Sequence, residues 1–287
     1  MPELPEVETV RQGLAPVLEG HRLVRVVTRR PDLRFPLTEG FDRRLTGAEV
    51  ERLERRAKYL RAWLSTGDVL VMHLGMTGRF QIESGQRRGK PGAFRGPASS
   101  EDRHAHVLFE TDAGDRVTFF DARRFGYMAV LAAEELARHP WFSGLGPEPL
   151  GPEFNAAYLL RAFAGKVQNV KAALLDQRVA AGLGNIYVCE ALHRAGVSPM
   201  CEAGRLSPPR LNRLVAEIKA VLEEAIEAGG STLRDYVGAD GSLGYFQHRF
   251  RAYGRECEPC LKPRCRGVLR RTVQSGRSTF HCPVCQR

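Results

Sequence analysis

Five of the seven cysteines of this 287-residue chain fall within its last 31 residues. A segment this short cannot bury a core of its own, so its fold needs another source of stability. Cys282 and Cys285 are separated by two residues, and sixteen residues separate Cys282 from Cys265. Four thiolates arranged around one Zn²⁺ form a closed structural site. The spacing therefore predicts a zinc-bound module whose folding energy comes from the metal.

The upstream half of this metal site is ambiguous from spacing alone. Cys257 and Cys260 have the tighter spacing, whereas Cys260 and Cys265 lie nearer to the downstream pair. His281 is a further candidate ligand. Disulfides are the alternative to a metal, but the N-terminus lacks the features of a secretory signal and cysteines in the cytoplasm stay reduced. We therefore expect a cytoplasmic protein with a metal-bound cysteine cluster.

The charge of the chain favours a polyanionic partner. Lys and Arg number 43 against 33 Asp and Glu, which gives a net charge of +10. Nucleic acid is the expected partner, and no apolar run approaches the ~20 residues that a membrane span requires. GVLRRTV and STFHC predict a β-hairpin joined by QSGR, and this basic hairpin is expected to contact phosphates. Its region contains Arg264, Arg266, Arg270, Arg271 and Arg277.

Periodicity divides the chain into a β-rich N-terminal half and a helical middle. Residues 4–18 predict a helix, and short strand-like segments follow up to residue 132, including the hairpin HVLFETDAGDRVTFF. Many short strands are typical of a sandwich or barrel. Residues 84–104 predict a surface loop. Helical patterns then cover 153–165, 170–182, 185–196 and 207–230, the last with an apolar stripe.

The chain opens MPELPEVETV, with Pro2 directly after the initiator methionine and with Glu3 and Glu6 three residues apart. Two interpretations are open from this motif alone. It is the start of a helix with acidic capping residues, or it supplies a terminal secondary amine that acts as a nucleophile. An α-amino group has a pKa of about 7.7–8.0 against about 10.4 for lysine, so more of it is uncharged at neutral pH.

Seven separated blocks, all in one order, resemble the formamidopyrimidine-DNA glycosylase family of bacterial enzymes that repair oxidised purines. They are MPELPEVETV, RRAKYL, HLGMTGRF, DARRFG, LLDQRVAAGLGNIYVCEALHRAGVSP, STLRDYVGADGSLGYFQ and YGREC…GRSTFHCPVCQ. The resemblance implies a multidomain α+β fold with an N-terminal helix on a β-sandwich, a helix-two-turns-helix domain and a C-terminal zinc-bound β-hairpin. The expected divisions are 1–134 for the catalytic domain, 135–150 for a linker, 151–235 for the helical domain and 236–287 for the lesion-loop segment and zinc finger.

The same resemblance implies the chemistry. A monomer would excise 8-oxoguanine and formamidopyrimidines from double-stranded DNA through a Schiff base on Pro2, then nick the strand by β,δ-elimination. Oxidised bases and abasic sites would be its substrates, and it would act in the bacterial cytoplasm with the nucleoid, away from any membrane. Glu3 would assist proton transfers, with Glu6 as a further catalytic residue. Lys58 would grip a phosphate beside the lesion and assist elimination.

The implied DNA contacts fall into two groups. Met76 would enter the space left by the extruded base, Arg123 would pair with the orphaned base, and Phe125 would wedge between base steps. The remaining implied contacts are His104, Lys171, Asn185 and Arg277. The segment 231–247 would close over the extruded purine.

The resemblance implies one structural Zn²⁺ and selects its ligands as Cys260, Cys265, Cys282 and Cys285. The family's first pair is usually separated by two residues rather than four, which keeps Cys257 open as an exchange for Cys260 or Cys265.

Two other functions stay open. The first is an endonuclease VIII-like glycosylase that prefers oxidised pyrimidines; its relatives tend to begin MPEGPE, so Leu4 and the DARRFG block favour the purine branch. The second is a non-catalytic zinc-containing DNA-binding protein, which would require a blocked N-terminal amine or a retained Met1.

Overall fold

The computed structural model describes residues 2–83, 102–231 and 244–287. Most of the predicted 84–104 loop and of the predicted lesion-capping segment 231–247 therefore lies outside the described residues. The chain divides into two compact units, Met1–Phe142 with Ser231–Gly244 and Ser143–Gly230 with Tyr245–Arg287. The four-part division stays a prediction. Among the helices described, none is long and apolar enough to cross a membrane.

The first unit is a two-layer β-sandwich with an N-terminal helix, as predicted. Its strands form two four-stranded sheets in the orders β1-β6-β7-β5 and β2-β3-β4-β8. All of the strand pairs are antiparallel. The elements are α1 (Leu4–Leu18), β1 (Leu23–Thr28), α2 (Phe41–Leu45), β2 (Val50–Arg56), β3 (Tyr59–Leu64), β4 (Asp68–His73), β5 (Arg79–Glu83), β6 (Ala105–Thr111), β7 (Arg116–Phe120) and β8 (Tyr127–Ala132).

The hydrophobic core of this unit lies between the sheets and α1. Val10 and Leu14 of α1 are buried in one cluster with Leu60 and Phe109 of the two sheets. The predicted helix over 4–18 is confirmed, because apolar side chains recur on one face of α1 and Pro5 lies in its first turn. The predicted hairpin is confirmed as the antiparallel pair β6–β7.

The second unit contains four α-helices and a two-stranded hairpin within its described residues. They are α3 (Ala156–Phe163), α4 (Val170–Leu175), α5 (Asn185–Ala195), α6 (Pro208–Glu227), β9 (Arg270–Gln274) and β10 (Arg277–His281). The apolar stripe predicted for 207–230 is confirmed, because Leu211, Leu214 and Ile218 of α6 are fully buried. The predicted basic hairpin is confirmed as the antiparallel pair β9–β10.

The helical pattern predicted for 170–182 is wrong beyond Leu175. Asp176 is in an extended conformation and ends α4, and its carboxylate accepts a hydrogen bond from the Arg178 backbone N–H at 3.0 Å. The Gln177 amide then bridges the turn, donating to the Leu183 carbonyl at 2.9 Å and accepting from the Gly182 N–H at 2.8 Å. Side chains that satisfy backbone groups locally compete with the helix, so the chain turns here before α5.

Candidate active site and metal centre

The start of α1 buries the three N-terminal residues predicted to be catalytic. Pro2 is buried, and Glu3 and Glu6 are 4% and 2% exposed. Glu6 Oε2 accepts a hydrogen bond from the Glu3 backbone N–H at 2.9 Å, in the manner of a capping box. Glu6 Oε1 accepts a second bond from the Ser231 backbone N–H at 2.8 Å. One carboxylate therefore fixes the backbone beside Pro2 and also the residue at which the predicted lesion-capping segment begins.

Lys58 occupies the tight turn between β2 and β3, and an ion pair ties this turn to α1. Ala57 adopts a left-handed conformation with φ +53°, and its carbonyl accepts a hydrogen bond from Arg55 Nη1 at 3.0 Å. The same guanidinium donates to Glu8 Oε2 of α1 at 3.1 Å. Lys58 itself is 7% exposed. The turn that carries Lys58 is thus connected through Arg55 to α1, whose N-cap is Glu3.

His73 opens the block HLGMTGRF and pairs with the strand residue that follows Lys58, and the sequence analysis gave it no role. It pairs with Tyr59 across β3 and β4 and stacks on Tyr127 with ring centroids 4.7 Å apart. Its Nδ1 accepts a hydrogen bond from the Gly75 N–H at 2.9 Å, so the neutral ring carries its proton on Nε2. Burial, followed by the positive charges of Lys58 and Arg34, lowers the pKa of His73 to about 4. The block HLGMTGRF contains this histidine but gives no signal for its contacts, which depend on neighbouring strands.

We expect the neutral His73 to make the protein less stable at acidic pH. The folded pKa of about 4 lies below the ordinary value of 6.5, so the unfolded chain binds the extra proton first. The contribution of neutral His73 to the free energy of unfolding is complete above pH 6.5. It falls by at most about 3 kcal/mol as the pH is lowered towards 4. Urea unfolding of wild type and of His73→Phe across this pH range measures that contribution as the difference between the two proteins. Equal losses of unfolding free energy in both proteins would contradict the assignment.

The structure places on two neighbouring loops the three residues predicted to enter the DNA at the position of the extruded base. Met76 lies in the loop after β4, and Arg123 and Phe125 lie in the loop before β8. The buried Asp121 carboxylate joins the loops by accepting hydrogen bonds from the Thr77 hydroxyl and, at 2.7 Å, from the Gly126 N–H. Phe125 is 42% exposed, and the Arg123 guanidinium lies 4.7 Å from its ring centroid.

His104, also predicted to contact DNA, lies next to this pair of loops. It ends the short helical turn Asp102–His104, and its carbonyl accepts a hydrogen bond from the Asp121 N–H at 3.0 Å. Asp121 therefore links the backbone of His104 to both loops, although the sequence analysis gave no role to this first residue of the DARRFG block.

Gly75→Ala is expected to separate the two loops. Gly75 has φ +62°, and an added Cβ would lie 2.2 Å from the Phe125 carbonyl carbon. The backbone of Phe125 cannot make room without moving its side chain. We therefore expect the substitution to lower the free energy of unfolding by at least about 2 kcal/mol and to abolish lesion-dependent nicking. Gly114→Ala is the matched control, since Gly114 has φ +82° and open space around the added Cβ. Equal effects of the two substitutions would contradict the loop contact.

In the second unit, two residues predicted to contact DNA are hydrogen-bonded to the hairpin. Lys171 Nζ donates to the Ser278 carbonyl at 3.0 Å and to Thr279 Oγ1 at 2.6 Å, and the residue is 1% exposed. Asn185, at the start of α5, donates to the same Ser278 carbonyl at 2.9 Å. Arg277 begins β10 and is exposed. The structure therefore joins Lys171 and Asn185 to the strand that presents Arg277, and direct phosphate contact by these residues stays a prediction.

Glu190 is a second residue that the sequence analysis missed. This fully buried carboxylate lies in the middle of α5 and accepts hydrogen bonds from the backbone N–H groups of Arg251, Ala252 and Tyr253 at 2.9, 2.9 and 2.7 Å. These three bonds fix the segment that leads into the cysteine module.

The four cysteines selected by the resemblance come together in the second unit. The sulfur atoms of Cys260, Cys265, Cys282 and Cys285 all lie within 4.8 Å of one another. Cys260 and Cys285 are 3.8 Å apart and Cys265 and Cys282 are 3.6 Å apart. A tetrahedral zinc site with bonds of about 2.3 Å places its sulfurs about 3.8 Å apart, whereas a disulfide bond is about 2.05 Å long. Cys257 is exposed and stands outside this group.

The surroundings of the sulfurs fit a bound metal. The backbone N–H of Gly267 points at Cys265 Sγ at 3.4 Å, and that of Lys262 points at Cys260 Sγ at 3.5 Å. A Cβ at Gly267 would lie 2.5 Å from Cys282 Sγ, so only glycine lets the loop approach the sulfur. Backbone donors compensate the negative charge that thiolates carry, which supports a metal rather than four neutral thiols.

Comparisons with known proteins agree with this architecture. Residues 1–128 match the family model of the formamidopyrimidine-DNA glycosylase N-terminal domain, and residues 145–237 match that of its H2TH domain. A formamidopyrimidine-DNA glycosylase from Phenylobacterium zucineum is 63% identical over 287 residues, covering 100% of both chains. The chain belongs to the formamidopyrimidine-DNA glycosylase family. A formamidopyrimidine-DNA glycosylase from Caulobacter vibrioides is 59% identical over 286 residues, again across 100% of both chains.

Solved structures of formamidopyrimidine-DNA glycosylases share the fold. The MutM (Fpg) protein from Thermus thermophilus matches with a TM-score of 0.83 and 39% identity, covering 99% of this chain and 98% of that one. A Lactococcus lactis Fpg mutant in complex with a Fapy-dG-containing DNA matches with a TM-score of 0.85 and 30% identity over 100% of both chains. The family and the fold predicted from the seven sequence blocks are thus confirmed.

Proposed function

We propose that this chain, a formamidopyrimidine-DNA glycosylase by family, excises oxidised purines from duplex DNA and nicks the strand at the resulting abasic site. The observation that carries the proposal is the buried Pro2–Glu3 pair at the start of α1, where Glu6 accepts a hydrogen bond from the Glu3 N–H. Farther along the same helix, Glu8 accepts one from Arg55, which also donates to the turn that carries Lys58. Further support comes from Lactococcus lactis relatives, one bound to a Fapy-dG-containing DNA and another to an abasic site containing DNA.

The nucleophile is the secondary amine that Pro2 exposes when Met1 is removed. About a tenth of such an amine is uncharged at neutral pH. Its lone pair attacks C1′ of the damaged nucleotide as the bond between C1′ and the base breaks, and the base leaves with a proton. Ring opening gives a cationic iminium, which accepts the electrons of the C2′–H bond. Loss of the C2′ proton breaks the C3′–O bond and leaves a conjugated iminium. Loss of the C4′ proton to the same electron sink then breaks the C5′–O bond, and each phosphate leaves with its oxygen.

Glu3 carries the proton transfers in this proposal, because its buried carboxyl group directly follows the nucleophile. General acid–base assistance of this kind contributes about 10² to 10⁴ in rate. Glu6 serves as a positioning residue, since its two oxygens accept backbone hydrogen bonds from Glu3 and Ser231. Lys58 supplies a positive charge for a phosphate flanking the lesion.

Extrusion of the damaged base is required because C1′ of a stacked nucleotide is out of reach, and it costs a few kcal/mol. Met76, Arg123 and Phe125 would offset this cost by filling the space that the base leaves. Their two loops meet through Asp121, which supports a single preformed wedge. Arg277 would contact a phosphate from β10, whose backbone Lys171 and Asn185 hold in place.

We further propose that the metal held by the four cysteines is one structural Zn²⁺. Four thiolates without an open position favour zinc and leave no place for a substrate. The bound ion supplies folding energy to the hairpin, and the chain's own residues perform all of the chemistry. The relatives are bacterial, which supports action on the chromosome in the cytoplasm.

Excision assays on two lesions test the proposed substrate. A duplex with 8-oxoguanine opposite cytosine should be cleaved faster than one with thymine glycol, and cleavage should leave phosphates on both ends of the gap. Faster cleavage of the thymine glycol duplex would favour the endonuclease VIII-like alternative. A correctly processed protein that cleaves neither duplex would contradict the enzymatic function.

A further inference from the structure

A histidine from α5 contacts the metal site from outside the cysteine module. His193 lies in the last turn of α5 and is 1% exposed. Its Nε2 is 3.2 Å from Cys260 Sγ. Its Nδ1 is buried without a hydrogen-bond partner within the described part of the chain. No motif assigned a function to this residue, and a histidine on the buried face of a helix is otherwise a costly choice.

The contact has a defined direction. A metal-bound thiolate carries no proton and can only accept, so the ring must present Nε2–H to the sulfur. The neighbouring backbone is fixed too, because Lys262 Nζ donates to the His193 carbonyl at 3.4 Å and to the Arg194 carbonyl at 3.1 Å. The carboxyl end of α5 is therefore bonded on both its side-chain and backbone groups to the loop that carries the ligand Cys260.

The opposite end of α5 is bonded to the same module. Asn185 donates to the Ser278 carbonyl of β10, and Glu190 holds the segment that leads into the module. The helix thus contacts the hairpin, the entry segment and one metal ligand with a separate side chain for each. Of these three contacts, only that of His193 reaches an atom that binds the metal.

We propose that His193 is a positioning residue of the metal centre, whose N–H···S hydrogen bond to Cys260 stabilises the bound thiolate and slows loss of the metal. The inference rests on the proposed identity of the ion as zinc. A hydrogen bond to a ligand sulfur withdraws charge from it, so the sulfur is a poorer target for protons and oxidants. Such outer contacts to metal ligands typically change metal affinity by 10- to 100-fold.

Zinc release from the full chain tests the proposal with a pair of matched variants. His193→Phe keeps an aromatic ring in the buried position but removes the donor, whereas His193→Gln retains an N–H group at the position of Nε2. With zinc-loaded proteins and excess chromophoric chelator, we expect His193→Phe to release zinc about 10- to 100-fold faster than wild type, with His193→Gln close to wild type.

Cobalt substitution provides a spectroscopic measurement that a change in packing alone would not alter. We expect the sulfur-to-cobalt charge-transfer band of His193→Phe to shift relative to wild type, and that of His193→Gln to stay in place. Zinc release from His193→Phe at the wild-type rate would overturn the role of the hydrogen bond. Equally fast release from both variants, with cobalt bands that do not shift, would do the same. A wild-type chain that binds no zinc would overturn the zinc assignment itself, which metal analysis detects before any variant is compared.

Discussion

Replacing Pro2 by glycine is expected to lower the yield of borohydride-trapped protein–DNA adduct by about 10² or more. A secondary amine can form only a cationic iminium, which is a strong electron sink, whereas the primary amine of glycine forms an imine that must be protonated to act. Glycine also removes the ring that fixes the direction of the lone pair. A misplacement of about 1 Å at a reacting atom can cost 10²-fold in rate.

The matched control for this substitution is Pro5→Gly, which makes the same change within the first turn of α1 but leaves the terminal amine intact. It should form the adduct at nearly the wild-type rate, after allowance for any loss of folded protein. Binding of Pro2→Gly to a duplex with an uncleavable abasic analogue should match wild type. An adduct yield near wild type for Pro2→Gly would place the nucleophile elsewhere.

Loss of the metal is expected to abolish tight DNA binding while the first unit stays folded. The core of the cysteine module is small: its buried members are Ala252, Leu269 and Phe280 together with the ligands Cys260 and Cys282. Without the ion, little apolar burial remains to hold β9 and β10, so the basic hairpin should unfold. We expect Cys282→Ser to weaken binding to lesion-containing duplex by about 10²-fold, because the phosphate contacts proposed for the hairpin would be lost.

Two observables separate this result from general unfolding. Both tryptophans of the chain, Trp63 and Trp141, lie in the first unit, so their fluorescence reports the folding of that unit alone. Cys257→Ser is the matched control, because Cys257 is exposed and lies outside the sulfur cluster. It should retain one equivalent of zinc and wild-type affinity at the same salt concentration. Tight DNA binding by metal-free Cys282→Ser would exclude the hairpin from the DNA contacts.

The elements that sequence predicted correctly are those with strong periodicity. α1 and α6 each show an apolar face, and the β6–β7 hairpin alternates around a turn of aspartates and glycine. β2 is the strand that is hardest to predict from sequence, because VERLERR buries only Val50 and Leu53 fully and its charged residues resemble a solvated segment. Its pairing with β3 supplies the missing information, and that pairing depends on tertiary contacts.

The same distinction holds at the functional sites. Local blocks predict roles for Pro2 and Glu3, and these stay predictions. For the metal site, spacing could not choose between Cys257 and the other cysteines, and only the positions of the sulfurs in space separate them. Glu190 has a role because three backbone N–H groups from about 60 residues further along the chain converge on it. A single sequence carries no signal for such convergence.

The identity of the trapped nitrogen tests the central claim most directly. After borohydride reduction on an 8-oxoguanine duplex, nuclease and protease digestion and mass spectrometry should find the sugar remnant on an N-terminal peptide that begins at Pro2, with Met1 absent and the mass added at the terminal nitrogen. A remnant attached to the side chain of Lys58 or of any other lysine would contradict the account.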